Sequence, residues 1–157
     1  MKVLCIETTS KKFDLNEVKS IVTHDHNYGG RYGLEVGKEY LILGVIQDRS
    51  SKCLYYLIDL GNSTNPDWFP EPLFSMIDGR LPKNWFMRVF SKNENSVLHS
   101  LIGFDELCND ELFYEKLFEG DENTLRICYR RKKELEEEFN DKKDEDDLDP
   151  DWWEKLK

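Results

Sequence analysis

Two histidines meet only once in the chain, at His24-Asp25-His26. Two neutral imidazoles beside a carboxylate are ligands that zinc or another transition metal accepts, but the cysteines that would complete the set, Cys5 or Cys53, stand at no metal-site spacing from them. The 4 cysteines (Cys5, Cys53, Cys108, Cys128) include no Cys-x-x-Cys pair. That excludes a zinc ribbon and a thioredoxin motif, and it predicts free thiols in a reducing compartment. A polar loop is the expected role of 24–26; a small hydrolase or metal-dependent enzyme using His24 and His26 is the alternative from a different class. His99-Ser100 near Asp105 suggests a hydrolase constellation, yet no serine sits in a Gly-x-Ser-x-Gly elbow, so His99 is expected in solvent before a helix. Gly29-Gly30-Arg31-Tyr32-Gly33 is glycine-rich enough to cradle a phosphate, but a mononucleotide loop needs Gly-Lys before Ser or Thr, and Gly37-Lys38 precedes Glu39. These glycines read as turn residues. No catalytic residue, metal ligand or cofactor is assigned.

The elements that would position any such groups are legible in part. With 157 residues the chain fits one domain, or one with a helical appendage, and is long enough to bury a core without disulfide or metal. Met1–Glu7 reads as a strand. Residues 8–33 are polar and irregular, a long insertion and a candidate contact surface. Glu39–Gln47 and Leu54–Leu60 are rich in branched and aromatic residues and read as a hairpin. Asp67–Phe69 and Leu73–Ile77 follow as a further short strand pair or as one strand with a break at Pro70 and Pro72, and a proline-bearing strand should run at an edge. From Leu101 the period changes: a helix is predicted over 105–119, stopped by Gly120, then a second from Asp121 or Glu122 through Phe139. The expected fold is therefore α+β. A small antiparallel β-barrel domain, 1–90, is followed by a helical segment, 101–140, packed on it, and by an acidic tail, 141–157. Tyr40, Leu41, Leu43, Val45, Leu57 and Trp68 are expected in the barrel core or rim.

Met1-Lys2-Val3-Leu4-Cys5, Gly37-Lys38-Glu39-Tyr40 and Trp68-Phe69-Pro70-Glu71-Pro72-Leu73-Phe74 together carry a resemblance. The pattern resembles small bacterial and phage proteins in which a Gly-Lys-x-Tyr strand opens a Src-homology-3-like barrel, the Met-Lys-Val-x-Cys strand precedes it, and the aromatic-proline segment closes it. The longer form, with Arg80-Leu81-Pro82-Lys83-Asn84-Trp85 and helices behind it, resembles immunity-type proteins of polymorphic toxin systems. The resemblance covers about half the chain and implies a protein-binding role.

Charge and aromatics point the same way. Lys plus Arg number 22 against 32 Asp plus Glu, a net charge of −10. Residues 1–100 are balanced, so the whole excess lies in 101–157. Such a surface repels phosphates and favours basic partners, which disfavours a nucleic-acid-associated barrel, the second alternative. No apolar run approaches the roughly 18 residues of a membrane span, and the first residues do not form a secretory signal, so a cytoplasmic protein is expected. Barrels of this kind use aromatics to grip extended peptides. The candidate partner contacts are Tyr40, Tyr56, Trp68, Phe69, Trp85, Trp152 and Trp153. Tyr55 and Tyr56 must face opposite sides of their strand, so at least one belongs to the core. The expected function is a non-enzymatic protein-binding module, as an immunity-type inhibitor of a cognate, basic toxin domain.

Overall fold

Short runs of branched and aromatic residues recur from Val3 to Phe104, and in the computed structural model they pair as antiparallel strands. The structure describes residues 1–9, 32–50, 53–61, 65–92 and 96–140. The strands are β1 (Lys2–Cys5), β2 (Glu39–Leu41), β3 (Gly44–Asp48), β4 (Tyr55–Ile58), β5 (Asp67–Pro70), β6 (Phe74–Asp78), β7 (Trp85–Val89) and β8 (Leu98–Phe104). A single 3-10 turn, Glu71–Leu73, separates β5 from β6. The helices are α1 (Asp105–Asn109), α2 (Phe113–Glu119) and α3 (Glu122–Asn140).

The strands form two open sheets, ordered β2-β1-β6 and β5-β4-β3-β8-β7, where a closed barrel was expected. The expected hairpin is β3 with β4, Val45 standing opposite Tyr56. Its first arm divides at Ile42-Leu43, which puts β2 in one sheet and β3 in the other. The proline-bearing β5 lies at an edge, as a residue without a ladder donor requires.

The five-stranded sheet is the middle of three layers. On one face Tyr55, Leu57 and Trp68 meet Leu107, Phe113, Leu117, Leu135 and Phe139 of the helices. On the other, Tyr56, Ile58 and Phe69 meet Val3, Cys5 and Phe74 of the smaller sheet. Strand alternation sends Tyr55 and Tyr56 to opposite faces, and both are buried, at 0% and 5% exposure, because both faces are covered. Of the expected core residues, Tyr40, Leu43, Val45, Leu57 and Trp68 are buried and Leu41 is half-buried. They are shared between two clusters instead of filling one barrel.

Residues beyond 90 do not begin a separate helical unit. β8 runs between β3 and β7, so the sheet extends across the expected boundary. His99 is exposed, as expected, but on this strand and not ahead of a helix. The helix expected over 105–119 is two helices, because Asp110 turns the chain: its carboxylate accepts from Leu112 N at 3.0 Å and its carbonyl from Phe113 N at 3.1 Å. Gly120 stops α2 with φ 79°, a left-handed conformation that suits glycine. Asp121 then caps α3, its Oδ2 accepting from Thr124 N at 2.9 Å and Thr124 Oγ1 at 2.8 Å.

Three carboxylates make the fold acid-sensitive: Glu106 joins α1 to α3, while Asp78 and Asp121 hold a turn and a helix cap. Bonds from the Arg80 guanidinium hold the Asp78 carboxyl at about 2. Burial pushes Glu106 up, but hydrogen bonds from Arg131 and the charges of Arg131 and Arg130 outweigh it and leave Glu106 below its ordinary value. The Thr124 N–H and hydroxyl lower Asp121. A carboxylate held below its unfolded pKa of about 4 stabilises the fold above that value and loses the contribution as pH falls through the folded pKa. The thermal midpoint is therefore expected to drop as pH falls from about 5 to about 2. Midpoints of the wild type and Glu106→Gln across that range check it, the variant showing the shallower acid slope.

Candidate partner-binding site

The helix layer does not cover its face of the sheet completely. α1 is five residues long and α2 begins only at Phe113, so the far end of the face is left as a cleft of about 570 Å³. Ile46 of β3, Trp68 of β5 and Leu98 and Leu101 of β8 line it from the sheet, and Leu107 and Cys108 of α1 from the helices. Its rim carries Arg88, Phe90, Asp110, Glu111 and Tyr114. This volume and apolar lining, with a few polar groups, are those of a ligand or side-chain pocket.

Each rim group is held. The Arg88 guanidinium donates to Glu111 Oε1 at 3.0 Å and to the Cys108 carbonyl at 3.4 Å, and lies 4.7 Å from the Phe90 ring centroid. Asp110 pairs with Lys116 at 3.5 Å. The Tyr114 hydroxyl donates to Asp67 Oδ1 at 3.2 Å; burial and the Asp67 carboxylate push the phenol far up, so it remains a donor. Arg49 secures the Phe90 side of the rim by donating to the carbonyls of Phe90 (2.6 Å), Ser91 (3.0 Å) and Ser96 (3.4 Å). Trp68 packs against Tyr114 with ring centroids 5.7 Å apart, and its indole nitrogen is buried with no hydrogen-bond partner among the described residues. The arrangement offers apolar burial beneath two carboxylates.

Of the aromatics expected to contact a partner, only Trp68 lines the cleft among the described residues. Tyr40, Tyr56 and Phe69 are packing residues at 4–5% exposure, Tyr40 on the smaller sheet and Tyr56 and Phe69 on the larger, buried in the cluster between the two. Tyr40 and Tyr56 pack around Phe74, at 6.4 and 6.0 Å between ring centroids, and the Tyr40 hydroxyl accepts from Glu35 N at 3.1 Å. Trp85 is half-buried and touches both core clusters. Trp152 and Trp153 lie outside the described residues, as do His24 and His26 and most of the 8–33 insertion. Sequence reasoning missed Arg88, Phe90, Leu98, Leu107 and Tyr114. Arg88 within Trp85-Phe86-Met87-Arg88-Val89-Phe90, one cation in an apolar run, was the available signal for a strand presenting a charge at a site.

The four cysteines are free and buried. Burial pushes the Cys108 thiol up to about 11 and Cys128 to about 12, so neither supplies a thiolate nucleophile at neutral pH. Among the described residues, no group of three or more His, Cys, Asp and Glu side chains is placed to hold a metal ion, and no helix is long and apolar enough to cross a membrane. Fold and cleft together define an α+β protein of antiparallel sheets and a carboxyl-terminal helix, with an apolar cleft whose rim carries paired charges. No family model, curated protein or solved structure matches the chain.

Proposed function

We propose that this chain is a non-enzymatic protein-binding module whose partner seats an apolar side chain in the cleft and sets basic residues against the rim. The observation that carries the reading is the cleft itself, apolar below, with Asp110 and Glu111 at its rim in ion pairs with Lys116 and Arg88. Burying one large apolar side chain there contributes about 1.5–3 kcal/mol. The acidic excess of residues 101–157 would speed the encounter with a basic partner, an effect that weakens with salt. In its specific form the module is an immunity-type inhibitor and the partner a basic toxin domain. The sheet order supports the Src-homology-3-like reading that goes with it. β1, with the Met-Lys-Val-x-Cys sequence, lies between β2, which follows Gly37-Lys38, and β6, which ends the aromatic-proline segment. On this reading the barrel is opened and widened by β7 and β8.

The test co-expresses the chain with a panel of basic toxin domains, reading host survival and then the affinity of any purified pair that rescues the host. Ser96→Trp fills the cleft from its rim and is expected to weaken binding by about 30-fold or more, a loss of about 2 kcal/mol, beyond that of Ser96→Ala, which removes only the hydroxyl that accepts from Leu98 N at 3.1 Å. Unchanged affinity with the cleft filled removes the cleft from the interface.

A further inference from the structure

Strand β7 is a sheet edge with apolar residues on both faces. Phe86, Met87 and Val89 are 48%, 63% and 57% exposed. Phe86 stands opposite Gly103 on the helix face, whereas Met87 stands opposite Ile102, in line with Val45 on the other. An edge of this kind invites another strand unless it is covered or charged. Its surroundings are basic: residues 79–92 contain Arg80, Lys83, Arg88 and Lys92 and no acidic residue.

The segment 141–157 has the complementary pattern. Six acidic residues between Asp144 and Asp151 precede Trp152 and Trp153. Helix α3 ends beside the approach to β7. Glu138 Oε1 accepts from Lys83 N at 3.1 Å, the Arg80 guanidinium lies 5.1 Å from the Phe139 ring centroid, and Lys2 Nζ donates to Asn140 Oδ1 at 3.3 Å. From Asn140 the chain reaches Trp152 over roughly 40 Å when extended, and β7 spans only about 17 Å. Adjacent residues of an extended strand point to opposite faces, so a Trp-Trp pair suits an edge that exposes apolar side chains on both.

We propose that residues 144–153 fold back on β7 of their own chain, one tryptophan over Phe86 and the other over Met87 and Val89. The acidic run, arriving from Asn140, then passes Arg80 and Lys83 at the start of β7. This inference is independent of the cleft and of any partner placed there.

The test uses the full chain, isotope-labelled, with Trp152→Ala plus Trp153→Ala. The expected result is a change in the backbone amide resonances of 86–89, faster hydrogen exchange there, and a midpoint lower by about 2–4 °C. Met87→Lys lowers the midpoint alone, and in combination with the tryptophan changes adds little more, because both remove one contact. Unmoved β7 amides, or fully additive midpoints, overturn the proposal. So does an effect that grows with protein concentration alongside a dimeric mass, which would place the tryptophans on a second copy.

Discussion

A methyl group added at Gly44 is expected to destabilise the protein by about 1–3 kcal/mol, and trimming Leu107 to alanine by about 2–5 kcal/mol. The two changes together should cost clearly less than their sum. Gly44 on β3 stands opposite Gly103 on β8. A Cβ at Gly44 would lie 2.6 Å from Leu107 Cδ2, and one at Gly103 2.8 Å from the same atom. Neither glycine has the positive φ that would demand glycine for conformational reasons; the space above them is what matters. Leu107 is 3% exposed, so to admit the methyl group it must shift against its core neighbours or into the cleft that it walls. Shortened to alanine it no longer meets the new Cβ, so the double variant escapes the clash and pays only for the lost leucine. Urea unfolding of Gly44→Ala, Leu107→Ala and the pair measures the coupling, expected at about 0.5–3 kcal/mol. Additive costs would show that the glycine pair does not seat α1. Because Leu107 also walls the cleft, Gly44→Ala should weaken any partner bound there.

Neither glycine announces this from the sequence. In Glu39–Gln47 the apolar run is continuous, and Gly44 is its only punctuation, so the chain's passage from one sheet to the other at Ile42-Leu43 had no visible signal. The hairpin and the edge position of the proline strand were legible because branched residues, turns and a missing donor act locally. β7 was not, since an edge strand exposed on both faces lacks the alternation that identifies half-buried strands. β8 was hidden by Gly103 and by the helix that follows Phe104 directly.

The site was less legible than the fold for a different reason. Its lining comes from Ile46, Trp68, Arg88 to Phe90, Ser96 to Leu101 and Leu107 to Tyr114, stretches that only strand order brings together. Aromatic content drew attention to Tyr40, Tyr56 and Phe69, yet a sheet with a layer on each face needs large side chains on both, and packing claimed them.

Lys132→Ala should cost about 3 kcal/mol, far more than other lysines of α3, because Lys132 neutralises a carboxylate that water hardly reaches. Asp59, just past β4, has a side chain only 4% exposed, and its Oδ2 lies 2.7 Å from Lys132 Nζ. Its other oxygen accepts from Gly61 N at 2.9 Å. Removing the ammonium leaves a buried charge with one backbone donor, the situation in which breaking an ion pair costs about 3–5 kcal/mol. The lower end applies because Lys132 itself is 25% exposed, so water entering beside the truncated side chain recovers part of the loss. Asp59→Asn keeps an acceptor for Gly61 and removes the charge, so Lys132→Met combined with Asp59→Asn should be much less harmful than Lys132→Ala alone. Urea unfolding of the single and double variants measures the difference. The pair joins α3 to the end of β4, and α3 in turn carries Glu138 and Phe139 to residues 80–83, so loosening it should also raise hydrogen exchange at the start of β7. A cost below about 1 kcal/mol would mean the pair behaves as a surface contact. The helix would then be held mainly by burial of Cys128, Leu135 and Phe139 and by the Arg131–Glu106 pair.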